Sequence, residues 1–436
     1  MIKIKKDKVK SISIGLGIVV IIARLVASPS IAATPQAITN YGVITGLIFS
    51  IAVFAALSLF GYFCKKTRIE STSNAATFGD FLKQKISELD YKLFLGLIVL
   101  LSIQGLLIQV MLVADLLELI VNIPLKVIFS FLFILLIPFV LMFGNKAVNL
   151  LAKWQIFFLF AVIIIYPVYL LIQKGIEPIY KGIRLYHPYL LITIQDYSFF
   201  FLVVSFLIVC GYVFLNPALW QRNYQLRLDR VRRAFIYSSL IGCVIPVSFI
   251  CIFLLVFYQG GFIVFSSISN VLILSSAPFM LSLLFLGATA AITATFGSEL
   301  SSIVFLIKKN IFEDYAFSKQ KQINFSILLA IFFILTTFVL YKNYSPTFLH
   351  IFFFTGVIQV SILPQIILII CKRGQIKEHI AFGSLIGMAA GFILYSISDP
   401  LTSIIVAFSC SLSTCFYLIA KRRQKMKPIL ASKKIF

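Results

Sequence analysis

Twelve apolar stretches, most of them about 20 residues long, run along this 436-residue chain, and its basic residues fall almost entirely on alternate connections between them. The stretches cover residues 12–36, 40–63, 93–120, 125–143, 154–173, 196–217, 234–258, 276–307, 323–341, 347–371, 379–397 and 400–420. A helix of about 20 apolar residues crosses the hydrocarbon of a bilayer, and it satisfies its own backbone hydrogen bonds where no water can. With 61% hydrophobic and 12% charged residues, and a mean hydropathy of +1.04, the chain lies far from soluble domains, which are about 25% charged. A soluble fold has no way to hide this much apolar surface, and the alternating pattern of a membrane barrel is absent. The expectation is an all-α polytopic membrane protein of about twelve transmembrane helices.

The formal net charge of +23 has a topological cause. If the N-terminus is cytoplasmic, the inner face collects 32 of the 38 basic residues, from Lys3–Lys10, the 65–92 loop, Lys146, Lys153 and the 222–233, 308–321 and 372–377 loops to the tail beyond Lys421. Lys126, Lys174, Lys181, Arg184 and Lys342 fall outside, and Arg24 lies within a span. This asymmetry is the positive-inside rule, with attraction to anionic lipid as a by-product. No compact basic domain is present to bind nucleic acid. The expected setting is a bacterial inner (plasma) membrane, multi-pass with both termini cytoplasmic, and a monomer whose partners are the lipid bilayer and a small-molecule substrate. A Lys-rich start, an apolar run and Ser28-Pro29-Ser30-Ile31-Ala32-Ala33 imitate a secretory signal. Arg24 interrupts that apolar core, and the run continues through Pro35 into Tyr41-Gly42. A retained, broken membrane helix is therefore expected.

Six of the seven cysteines fall in spans or at their edges, with Cys64 at the end of the second, so no disulfide framework or metal-ligand spacing emerges. His187, His350 and His379 are scattered, and no hydrolase elbow, phosphate loop or His/Glu metal motif stands out. The chain is not expected to be an enzyme, nor to need a cofactor other than a coupling ion.

Polar or helix-breaking residues interrupt both the first span (Arg24, Ser28, Pro29, Ser30, Thr34, Pro35) and the sixth (Ser205, Cys210, Gly211, Asn216, Pro217). These positions correspond if spans 1–5 and 6–10 are two copies of one unit. Five being odd, the second copy enters the membrane from the opposite side, the inverted repeat of many secondary transporters, in which freed backbone groups of broken helices hold substrate and ion at the midplane. The bland alternative is that Pro and Gly merely kink membrane helices. The chain is thus expected to be a single transporter domain over 1–436, with repeat one at 11–173, repeat two at 196–371, C-terminal helices at 379–420 and a basic tail at 421–436.

Asn216-Pro217-Ala218-Leu219-Trp220-Gln221-Arg222-Asn223-Tyr224, followed by Arg230-Val231-Arg232-Arg233-Ala234, resembles the Pro...Gln-Arg...Ala-Arg-Arg-Ala stretch of the solute:sodium symporter family. Ala291 to Leu300 and the later Glu313-Asp314-Tyr315 are similar to that family's Ser-Thr-x-x-Ser-x-Leu segment and its closing acidic-Asp-Tyr. Pro35 with Tyr41-Gly42, and Phe78 to Leu82, are weaker echoes in the order the family requires. The resemblance implies the leucine-transporter-type fold: ten core helices in a 5+5 inverted repeat, with helices 1 and 6 discontinuous, plus two C-terminal helices. The extra leading helix usual in the family is not expected here, given the basic cluster at Lys3–Lys10.

The resemblance further implies a sodium ion held by the carbonyls of Ala23, Val26 and Ala291 and the hydroxyl of Thr295, oxygen ligands of the kind alkali cations need. Thr295 is the family's second hydroxyl position, whereas its first is Ala294 here, so one ligand is missing. Arg24 is the larger departure, because a guanidinium keeps its charge and costs on the order of 2.5–3.5 kcal/mol at mid-span. It could bind a substrate carboxylate, replace the charge that sodium supplies, or pair with an acid such as Glu299. Glu299 lies one turn beyond Thr295 on the same helical face, where a carboxyl makes proton coupling conceivable. Ser28, Gln104, Gly211 and Ser298 complete the candidate substrate or coupling set with Arg24 and Glu299.

The sequence thus points to secondary import of an amino acid, carboxylate or sugar, coupled to sodium or protons. A lipid-linked sugar flippase, another twelve-helix permease, or a non-transporting protein on a transporter scaffold are the alternatives.

Overall fold

A computed structural model describes residues 12–25, 38, 41–71, 75–121, 149–191 (except 159, 163, 166, 170 and 174), 196–257, 278–311 and 348–432 (except 373 and 377). All the regular structure among them is helical. The helices are α1 (Ile14–Leu25), α2 (Val43–Glu70), α3 (Phe78–Lys85), α4 (Glu88–Val121), α5 (Asn149–Gln173), α6 (Ile176–Tyr186), α7 (Asp196–Leu215), α8 (Pro217–Gln225), α9 (Val231–Gly242), α10 (Val244–Phe257), α11 (Pro278–Asn310), α12 (Phe348–Cys371), α13 (Ala381–Ile397) and α14 (Pro400–Ser432).

Six described segments are long and apolar enough to cross a membrane: α2, residues Glu88–Leu106 of α4, α5, Val231–Ser248, Leu349–Cys371 and Pro400–Leu418. The bent pair α7–α8 passes the same test as one span, and Ile14–Arg24 and α13 are shorter apolar helices. The chain is a multi-pass membrane protein. The expected spans at 125–143 and 323–341, and the first-span break from 26 to 37, lie outside the described residues.

Each boundary follows from local chemistry. Gly42, with φ 86°, takes the left-handed turn that lets α2 start at Val43. At α3 the Thr77 hydroxyl accepts from the Asp80 amide at 3.1 Å, while the Asp80 carboxylate accepts from the Thr77 amide at 3.0 Å, a reciprocal capping box. At the start of α4 the Ser87 hydroxyl accepts from the Asp90 amide at 3.3 Å and donates to the Asp90 carboxylate at 2.8 Å, and Asp90, fully buried, also accepts from the amides of Ile380 and Ala381 at 3.3 and 3.2 Å. One carboxylate thereby satisfies orphan donors at the start of α13 and ties it to α4.

Helix α2 packs on α7, α9 and α10, α11 on α4, and α12, α13 and α14 on one another, while α1 lies against α8, α9 and α11. Between α13 and α14 the backbones come close: a Cβ on Gly387 would lie 2.8 Å from the Ala407 carbonyl oxygen. Small residues at such crossings are how helices associate in lipid, where the hydrophobic effect offers no preference between protein and solvent. The aromatic core centres on Trp220 of α8, which stacks on Phe78 of α3 (centroids 4.2 Å apart, 9° between planes) and meets Phe60 of α2 edge-on at 4.8 Å.

One expectation needs correction. The sixth span breaks only at Asn216, and Ser205, Cys210 and Gly211 lie in continuous helix. The reason for Gly211 is packing: a Cβ there would stand 2.8–3.0 Å from the Cβ and main-chain atoms of Gln359 on α12. The glycine admits a neighbouring backbone and does not unwind its own.

Candidate functional site

Asn216 and Pro217 turn the chain by 58° between α7 and α8. Proline at the first position of α8 has no amide to lose there, and the Asn216 side-chain oxygen accepts from the amides of Ala218 and Leu219 at 3.0 and 3.2 Å. The amides that would have continued α7 are thus taken by a side chain. Among the carbonyls left at the end of α7, that of Phe214 accepts from the Trp220 indole N–H at 2.7 Å. The break is satisfied from within, which is what a bent span needs when no water is at hand.

The second half of the site is charged. Arg24, at the last turn of α1, pairs with Glu299 of α11, and both side chains are 1% exposed. The Tyr212 ring of α7 lies 5.6 Å from the guanidinium carbon, so its negative face adds to the stabilisation. The Asn216 amide nitrogen, from the α7–α8 break, approaches Glu299 Oε1 at 3.5 Å. Gly105 of α4 makes room for the carboxylate: a Cβ there would lie 2.9 and 3.1 Å from its two oxygens. The end of α1, the break after α7, and helices α4 and α11 therefore meet at a single carboxylate. Their depth matters energetically, because two charges removed from water hold each other only while both remain.

Of the expected sodium ligands, the Ala23 carbonyl accepts from the Gln155 side-chain amide of α5 at 2.7 Å, across 132 residues of sequence. Val26 lies outside the described residues, as does Ser28. Ala291 sits within α11, and Thr295 is buried one turn before Glu299. These surroundings do not fit a sodium ion. A hydrogen-bond donor faces the Ala23 carbonyl, Ala294 offers no hydroxyl at the first of the two hydroxyl positions, and the nearby carboxylate of Glu299 is already neutralised by Arg24.

Ser298 is buried, and its hydroxyl makes no hydrogen bond among the described residues. Gln104 is half-buried on α4, next to the Gly105 that touches Glu299. Gly211 lies one residue before Tyr212 but is itself spent on Gln359. Gln155, Tyr212 and Gly105 were not singled out from the sequence. A lone glutamine near the edge of an otherwise apolar span is the one signal that could have marked Gln155.

Below this site, the end of the bundle that carries α3 is sealed by polar contacts. Lys309 of α11 donates to Asp80 at 2.6 Å, Asn310 donates to the other Asp80 oxygen at 3.1 Å, and Thr77 donates to Asn310 at 2.9 Å. Burial alone would raise the Asp80 carboxyl, but Lys309 and the amides of Ala76 and Thr77 outweigh it and hold the carboxyl below its ordinary value. Arg68 of α2 donates to the carbonyls at the end of α8, including that of Leu226 at 3.1 Å.

No protein-family profile matches the chain, and no curated protein matches it in sequence. Solved structures do match in fold. A Na+-coupled sialic acid symporter in a substrate-bound outward-open state superposes with a TM-score of 0.77 at 16% identity, over 92% of this chain and 88% of that one. Mhp1, a nucleobase-cation-symport-1 family transporter, gives 0.59 at 11% identity, over 97% and 96% of the two chains. MhsT in complex with L-phenylalanine gives 0.59 at 14%, over 95% and 99%. Together with the break at Asn216 and its meeting with α1 and α11, these likenesses give the chain the leucine-transporter-type inverted-repeat fold, divergent in sequence from each of them.

Proposed function

We propose that this chain is a secondary active transporter, similar to the solute:sodium symporters, that imports a small polar metabolite by alternating access and draws on an ion gradient. The observation that carries this reading is the convergence on Glu299 of the end of α1, through Arg24, and the α7–α8 break, through Asn216. A span that bends inside the bundle can hinge there, and the hydrogen-bonding groups at the bend face those of the neighbouring helices. Coverage of nearly the whole chain by a sialic acid symporter, by Mhp1 with bromovinylhydantoin bound and by MhsT in complex with L-phenylalanine supports a transport role and is compatible with a small organic cargo. Arg24 is committed to Glu299, so it lends no separate weight to an anionic cargo. The bias of basic residues supports an orientation with α3 and both termini in the cytoplasm of a plasma membrane. A flippase built from two six-helix halves is a different architecture from the one observed.

The test is a stability screen of the purified protein against amino acids, sugars and carboxylates, with and without sodium, at two pH values. A ligand at about 100 times its dissociation constant stabilises the protein by about 2.7 kcal/mol, read as a rise in the melting temperature. A flat response across all three classes contradicts the reading.

A further inference from the structure

We propose that Arg24 is the resident cation of this carrier: its guanidinium, held by Glu299, stands in for the sodium ion that the family resemblance implies, and the cycle runs without sodium. This rests on the carrier reading above and sharpens its coupling. Three independent features of the chain agree. The Ala23 carbonyl, the implied ligand nearest Arg24 in sequence, is taken by the Gln155 side-chain amide at 2.7 Å. The family's first hydroxyl position is Ala294, buried and apolar. The acid beside Thr295, which would have strengthened a cation site, is neutralised by Arg24 at 1% exposure for both partners.

The two arrangements do the same electrostatic work by different means. A mobile cation bridging α1 and α11 draws oxygen ligands from both helices together and releases them when it leaves. Arg24 is covalently part of α1 and reaches Glu299 of α11, so it ties the same two helices permanently. With Glu299 already neutralised by Arg24, a further cation finds no uncompensated carboxylate there to offset the loss of its hydration. The Tyr212 ring, 5.6 Å from the guanidinium carbon, and the Asn216 amide at 3.5 Å from Glu299 complete the polar shell of the pair. Accumulation of substrate then depends on protons or on exchange against a second substrate.

The experiment is a thermal-unfolding titration of the full-length purified protein with sodium chloride against choline chloride at equal ionic strength. The expected result is the same melting temperature in both salts at every concentration. A saturable rise with sodium and not with choline overturns the proposal. In an Arg24→Gln variant, which frees Glu299, a sodium-specific rise growing with the logarithm of concentration is expected; a folded variant indifferent to sodium counts against it. Should that variant fail to fold, the wild-type titration still decides, because it needs no substitution. Failure of the metabolite screen would overturn the carrier reading and leave this titration unaffected, so the two failures are distinguishable.

Discussion

Two ion pairs on α11 show how depth changes the meaning of one chemistry. Lys309 and Asp80, 2.6 Å apart, are 23% and 13% exposed at the end of the bundle, and the carboxylate has backbone amides and Asn310 as further partners. Arg24 and Glu299 are 1% exposed. If Lys309 is lost, Asp80 turns to its remaining donors and to water. If Arg24 is lost, Glu299 keeps the Asn216 amide at 3.5 Å but loses its countercharge at a depth where its side chain is 1% exposed. The first pair trims stability, whereas the second is a unit that cannot be halved.

The largest expected effect comes from halving it. Glu299→Gln should leave Arg24 uncompensated and cost about 3–5 kcal/mol, seen as a large fall in melting temperature or in recoverable folded protein. Gly211→Ala comes next. If α7 is continuous and packed at Gln359, the added methyl should cost about 1–3 kcal/mol through overpacking. Were the helix unwound there, the same substitution would be tolerated, so the melting temperature separates the two. Asn216→Ala removes the cap of α8 and a donor near Glu299, for a loss of about 0.5–2 kcal/mol. Asn216→Asp keeps the cap but sets a second carboxylate beside Glu299, and should be the worse of the two. Asp80→Asn should be mildest, about 0.2–1 kcal/mol near neutral pH.

The Asp80 effect has a pH signature. Its carboxyl is held below the ordinary value in the folded protein, and the unfolded value is about 3.9. The stabilisation is therefore complete above that value and fades as pH falls through the folded one. The difference in melting temperature between wild type and Asp80→Asn should close in that acid window and hold steady around neutrality.

Much of this was legible in the sequence because a bilayer leaves few options. Apolar length marked the spans, and Arg24 and Glu299 stood out because ionisable side chains are rare in hydrocarbon. Asn216-Pro217 announced a break, since that pair caps a new helix more readily than it continues an old one. Gly211 misled for a physical reason: a glycine in a membrane helix serves a kink or a close crossing, and only the neighbour, Gln359, decides which. The Gln155 contact was out of reach because its acceptor is the Ala23 carbonyl, and backbone acceptors leave no mark in a sequence. Asp90 likewise caps a helix that begins 290 residues later.

The most direct test of the central claim, that Arg24 and Glu299 form one inseparable unit at the crossing of the helices, is a double-mutant cycle read by melting temperature. Arg24→Met and Glu299→Leu should each be severely destabilising, and the double variant should recover most of the loss, because an apolar pair of similar volume leaves no stranded charge. Losses that simply add would mean that the two side chains act independently, and would contradict the account.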